Sequence, residues 1–148
     1  MLDELDDFLT EPEGNRGGQA QAVEAVRPAL LDWAAATLRA RSPEAAAYRG
    51  AKGQAQFRLD LDRGLKRAVE PEDNGDPAEW RRWILATVYA PRGQGEPELD
   101  GMLAVLAEAL VRLVPWPHGP RVAERVVELL GAHHSEVRKR VAQRVQAG

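Results

Sequence analysis

The sequence predicts an all-α fold, a compact bundle of six or seven short helices around a central buried helix at about 97–114. Three observations predict it. The most apolar run in the chain, PELDGMLAVLAEALVRLV from Pro97 to Val114, carries almost no polar residue after its first turn. Elsewhere the apolar residues recur three and four apart, the spacing of one helix face. Prolines and glycines fall between those stretches, where helices start and stop.

The central element comes first because the others are read against it. At about 100° per residue, Gly101, Glu108 and Arg112 fall within roughly 120° of Asp100. Those four positions make one expected wet stripe, and the rest of the circumference is Leu, Met, Val and Ala. A surface helix shows the reverse proportion, so this one is expected inside, with neighbours on several sides. Pro97 suits the first turn, where a missing N–H costs nothing. Glu96, Glu98 and Asp100 put negative charge at the positive end of the helix dipole. Pro115 ends the run by pushing Val114 out of the helical region. The run is too short, and too closely flanked by charge, to span a bilayer.

A chain of 148 residues reads as one domain that can bury roughly 70% of its unfolded surface. The organisation expected is an acidic leader and linker at 1–18, then a single helical domain at 19–148. Cysteine is absent, which removes disulfides and thiolate metal sites. No basic-then-apolar leader opens the sequence, so a cytoplasmic location is expected and no membrane association. The net charge of −3 exerts no global pull on nucleic acid, but the charge is polarised. Residues 1–15 hold six acids and no base, residues 39–67 eight bases and three acids, and residues 121–148 six bases and three acids.

In chain order, Leu2, Leu5, Phe8 and Leu9 recur at helical spacing among Asp3, Glu4, Asp6 and Asp7. Eight residues are too few for an isolated helix, so this leader is expected to dock, on its own core or on a partner. Glu11 to Gly18 reads as a linker. Gln19 to Arg41 reads as a helix with Val23, Val26, Leu30, Trp33 and Thr37 on one face and a kink or break at Pro28. Ser42-Pro43-Glu44 reads as a helix start. The next helix weakens at Gly50 and Gly53. It then sets Phe57, Leu61, Leu65 and Ala68 opposite a basic stripe of Arg49, Lys52, Arg63, Lys66 and Arg67, with Leu59 the misfit.

Asp76-Pro77-Ala78-Glu79 resembles a capping box, starting a helix with Trp80, Trp83, Ile84 and Val88 facing in. Its tail ILATVYA is β-branched enough to compete as a strand, and the cap favours helix. Pro91 to Gly95 is a loop, and Pro115 to Pro120 a rigid one. Arg121 to Leu130 turns Val122, Ala123, Val126, Leu129 and Leu130 inward, and Gly131 is read as its C′ residue. Ser135 caps a last helix with Val137, Val141 and Val145 on one face.

The inventory for chemistry is thin. Both serines, Ser42 and Ser135, are accounted for as caps, and adjacent His133 and His134 diverge rather than converge on a metal. His118 stands alone between prolines. Asp60 and Asp62 lie two apart and do not share a helix face. No enzyme activity, cofactor or metal is expected. Three readings follow.

The leading one is a non-catalytic helical subunit of a larger assembly, its basic face (Arg49, Lys52, Arg63, Lys66, Arg67) meeting nucleic-acid backbone or an acidic protein. Trp116, Leu5 and Phe8 are its candidate partner anchors, although Trp116 also suits a lid on the core. Oligomerisation fits this reading. The alternative is a sequence-specific DNA-binding regulator through a helix-turn-helix-like segment at 121–146, with Arg138, Lys139, Arg140 and Arg144 at the groove. Against it, Val127 is large and Arg140 polar where that motif wants the opposite. A small enzyme with an unrecognised site is third.

Overall fold

In the computed structural model, residues 12–41, 50–70, 76–131 and 134–147 are described. They form six helices and no strand: α1 (Pro12–Arg41), α2 (Gly50–Val69), α3 (Pro77–Ile84), α4 (Glu96–Leu113), α5 (His118–Glu128) and α6 (Ser135–Ala147). Helix α4 is the central one. It packs against α1, α2, α5, α6 and the segment that follows α3. Leu99, Met102, Leu103, Leu106, Ala107, Ala109 and Leu110 have no exposed surface. Each fully buried leucine or methionine contributes roughly 1.5–3 kcal/mol by leaving water, which is why this run sits inside.

Helix α4 starts as its sequence asks. The Glu98 carboxylate accepts the Gly95 N–H at 2.6 Å, with Pro97 in the first turn. It ends at Val114, extended at φ −97° and ψ 129° ahead of Pro115. The expected wet stripe is only partly wet. Arg112 is exposed, but Asp100 is buried, because Arg81 of α3 reaches it (2.5 and 3.0 Å).

Helix α1 is longer than expected. It begins at Pro12 and runs without a break through Pro28, so the backbone of 12–18 is helical rather than linker. Its inward face carries Val23, Leu30, Leu31, Ala34, Ala35 and Leu38. Val26, Trp33 and Thr37 lie at the flank. The helix start read at Ser42 and the leader itself lie outside the described residues. Helix α2 buries Phe57, Leu61, Leu65 and Ala68, with Leu59 outside at 58% exposure.

Helix α3 has Asp76 at its N-cap and Pro77 next, but the Asp76 side chain makes no capping bond. Trp80 and Ile84 face in, whereas Trp83 is 54% exposed. Arg81, bonded to Asp100, is also on the inward side, and Trp83 is left on the outer flank. The β-branched tail is helical, as the cap favoured, but not α-helical. Leu85–Tyr89 is a π-helical turn and Ala90–Arg92 a 3-10 turn. The Thr87 hydroxyl donates to the Trp83 carbonyl at 2.6 Å, a side-chain bond that competes with the regular ladder.

Helix α5 starts at His118, inside what was read as loop. Gly119 permits it: a Cβ there would lie 2.3 Å from the Leu110 carbonyl oxygen and 2.4 Å from that of Val114. Val122, Ala123, Val126, Leu129 and Leu130 are all buried, as is Val127. Gly131 does not serve as a left-handed C′ residue, since among the described residues the positive-φ glycines are Gly50 and Gly93. It is small for a different reason. Its N–H donates to Asp100 at 3.1 Å, and a Cβ would meet Arg81 and Asp100 atoms at 3.1 Å. Val137, Val141 and Val145 of α6 pack on the core as expected.

Candidate functional site: an arginine-rimmed groove

The basic stripe expected on α2 is thinner than its sequence. Lys52, Arg63 and Lys66 are exposed, but Arg67 is 5% exposed, and burial pushes its guanidinium below its ordinary pKa. Arg63 is tied to Asp60 at 3.2 Å. Asp60, 1% exposed, is also gripped by Arg92 at 2.7 and 2.9 Å. Asp62 faces elsewhere, hydrogen-bonded to Arg27 of α1 at 3.0 Å, so the two aspartates do not share a face. Arg58 pairs with Asp32. Arg49 lies outside the described residues. Of the expected stripe, Lys52 and Lys66 are outward cations outside any ion pair among the described residues, and Arg63 is outward but paired with Asp60.

The alternative DNA contacts are divided in the same way. Arg138 donates to the carbonyls of Leu130 (3.0 Å) and Gly131 (2.9 Å), closing the C-terminal end of α5 as a cation there does. It is therefore committed inside the bundle. Lys139, Arg140 and Arg144 are exposed. Trp116 is 54% exposed and does not lid the core. Leu5 and Phe8 lie outside the described residues. His134 sits 3.3 Å from Asp100, and the ring of His118 lies 3.4 Å from where a Cβ on Gly18 would be.

What the sequence did not reveal is a groove of about 620 Å³ where α1, α4 and α6 meet. Its floor is apolar, made by Leu38, Ala104, Val105, Val111, Val137 and Val141, with Gly101 beside them. Its rim holds Arg41, Arg112, Arg140 and Arg144 against the single carboxylate of Glu108. Arg41 forks onto Glu108 at 2.5 and 3.1 Å. That hydrogen bond holds the Glu108 carboxyl below its ordinary pKa against the opposing effect of burial, with the charges of Arg41, Arg112 and Arg140 adding to it. Arg112 lies 3.9 Å from Glu108 and stacks over Trp33 at 5.4 Å from the ring centroid. The rim stays net cationic.

The sequence signals were present but scattered. Glu108 and Arg112 were the polar stripe of α4, and Arg140 and Arg144 the basic side of α6. Only the packing of α4 against both α1 and α6 joins them. Among the described residues no group of three or more acidic or histidine side chains is placed to hold a metal ion, and no helix is long and apolar enough to cross a membrane. No family model, curated protein or solved structure matches the chain.

Proposed function

We propose that the chain is a non-catalytic helical subunit of a larger assembly, and that it grips an acidic, amphipathic protein segment in the groove of α1, α4 and α6. One observation carries this reading: an apolar floor inside a rim of four arginines and one glutamate. A phosphate backbone needs cations but no apolar floor. An amphipathic acidic helix uses both, its apolar stripe on the floor and its carboxylates on the guanidiniums. Charge at the rim sets on-rate and choice of partner more than raw affinity. Supporting the non-catalytic reading, the buried carboxylates Asp60 and Asp100 are engaged in ion pairs with arginines.

Nucleic-acid backbone binding through Lys52 and Lys66, both exposed on α2, is the second reading. One comparison separates the two. The protein is recovered at low salt from its native source, as wild type, as Arg140→Glu with Arg144→Glu, and as Lys52→Glu with Lys66→Glu. Co-purifying molecules are identified by mass spectrometry, and protein contacts are mapped by cross-linking. The groove reading expects an acidic amphipathic segment cross-linked to α4 or α6, lost in the arginine variant and kept in the lysine variant. Nucleic acid lost only in the lysine variant would replace it with the second reading. A partner set unchanged by either variant sinks both.

A further inference from the structure

The groove's chemistry is matched by a stretch of this same chain that lies outside the described residues. Residues 1–11 carry Leu2, Leu5, Phe8 and Leu9 at helical spacing, five acids and no base. As a helix, residues 2–9 span roughly 10 Å, and the groove runs along α4 from Gly101 to Arg112, roughly 16 Å. The leader's apolar positions match the apolar floor in character, and its acids match the arginine rim in charge.

With residues 2–9 helical, a copy's own leader ends within roughly 20 Å of Pro12 and does not reach its own groove. Helix α1 begins at Pro12, and its groove residues are Leu38 and Arg41. Leu38 is roughly 39 Å along the helix from Pro12. Even Trp33, where Arg112 stacks, is roughly 31 Å along it. Leu9, three residues before Pro12, extends at most roughly 10 Å from it, and Phe8 roughly 14 Å. A cleft between α1 and α2 is within reach, but it is lined by Glu24, Asp62 and Glu70 against Arg27 and Lys66. That cleft repels an acidic segment.

We infer that residues 2–9 of one copy dock as an amphipathic helix in the α1–α4–α6 groove of a second copy. This rests on the groove being a receptor for acidic segments and names the segment. Leader and groove are different surfaces at opposite ends of α1, so the contact is heterologous. Two copies either exchange leaders reciprocally and close as a dimer, or keep one leader and one groove unused and propagate into a larger ring or an open chain.

The experiment uses the purified full chain and two full-length variants, followed by sedimentation equilibrium. Leu5→Ser with Phe8→Ser disables the leader, outside the described helices. Arg140→Glu with Arg144→Glu disables the groove at exposed positions. The wild type is expected to form concentration-dependent oligomers at about 50 mM salt, weakened at least tenfold at about 500 mM, where exposed charges are screened. Each variant alone is expected to be monomeric. Their equimolar mixture is expected to give a one-to-one dimer and nothing larger, because one intact leader then meets one intact groove.

A wild type that stays monomeric at low salt overturns the inference. So does a leader variant that associates like wild type, or a mixture that yields no dimer. Those results leave the groove reading standing if the native-source comparison still shows an acidic protein lost on rim reversal. Loss of both results would remove the groove reading as well.

Discussion

The two sides of α4 use the same residue type in opposite ways. Toward α3 and α5, arginine is interior material. Arg81 spans from α3 to Asp100 and also donates to the Leu129 carbonyl at 2.9 Å, with 13% of its side chain exposed. Burial disfavours the charged forms of both Arg81 and Asp100. For Asp100 the Arg81 hydrogen bonds, the Gly131 N–H and the charges of Arg81 and His134 outweigh it, and the carboxyl sits below its ordinary pKa. For Arg81 the bonds to Asp100 and Glu96 outweigh it, and its pKa is raised. Toward α1 and α6, Arg112, Arg140 and Arg144 stand over an apolar floor with their charge turned to water. Whether an arginine is structural or available depends on what packing places within its reach, a carboxylate and helix-end carbonyls on one side, an open groove on the other.

The sharpest way to break the closed side is at its tightest joint. Gly119→Ala drives a methyl group into the backbone oxygens of Leu110 and Val114, which have no rotamer to escape by. It is expected to cost roughly 3 kcal/mol or more, read as a fall in the denaturation midpoint. A loss under about 1 kcal/mol would show that the α4–α5 corner is looser than described.

Asp100→Ala comes next. It leaves the Arg81 guanidinium buried without its main counter-charge and the Gly131 N–H without an acceptor, at a cost of about 3 kcal/mol. The same pair has a pH signature. The folded pKa of Asp100 is depressed, so its stabilisation is present above the ordinary carboxylate pKa and is lost as pH falls through the folded value. The unfolded chain binds the proton first, and stability therefore rises with pH across that acid window. Asp100→Asn is expected to flatten the acid limb of a pH–stability profile. An unchanged limb would assign the acid sensitivity to other carboxylates, such as Glu108.

The smallest expected effect on stability is on the open side. Arg140→Glu with Arg144→Glu touches exposed positions, and it is expected to change stability by less than about 0.5 kcal/mol while abolishing groove-dependent association. A large stability loss would instead show that these arginines belong with Arg81 and Arg138 as interior material.

Much of the frame was legible before any coordinates. The burial of α4, the inward set of α5, the stripe Phe57–Leu61–Leu65–Ala68 and the Val137–Val141–Val145 face all follow from period and composition, whereas the helical course of ILATVYA rests on the Asp76-Pro77 start signal against a β-branched composition. The misreadings share one cause. Trp83, Arg67, Arg138 and Asp100 were placed by helical angle alone, as though apolar meant inside and charged meant outside. Asp100 is turned inward by Arg81, 19 residues away, and Arg138 is committed to the nearby carbonyls of Leu130 and Gly131, while packing buries Arg67 and leaves Trp83 outside. Gly131 was read as a backbone specialist, yet its smallness serves the approach of Arg81 and Asp100.

The sequence by itself determined that the chain is helical, where most of the helices lie and which of them is interior, but not the extension of α1 to Pro12, its course through Pro28 or the start of α5 at His118. Those properties depend on spacings of a few residues, and hydrophobic burial is insensitive to the identity of the partner. The tertiary structure alone decided which charges are consumed and which remain. An arginine–carboxylate bond needs a few ångströms between groups such as Arg81 and Asp100, or Arg41 and Glu108, 19 and 67 residues apart. Only the packing of one helix on another sets that distance.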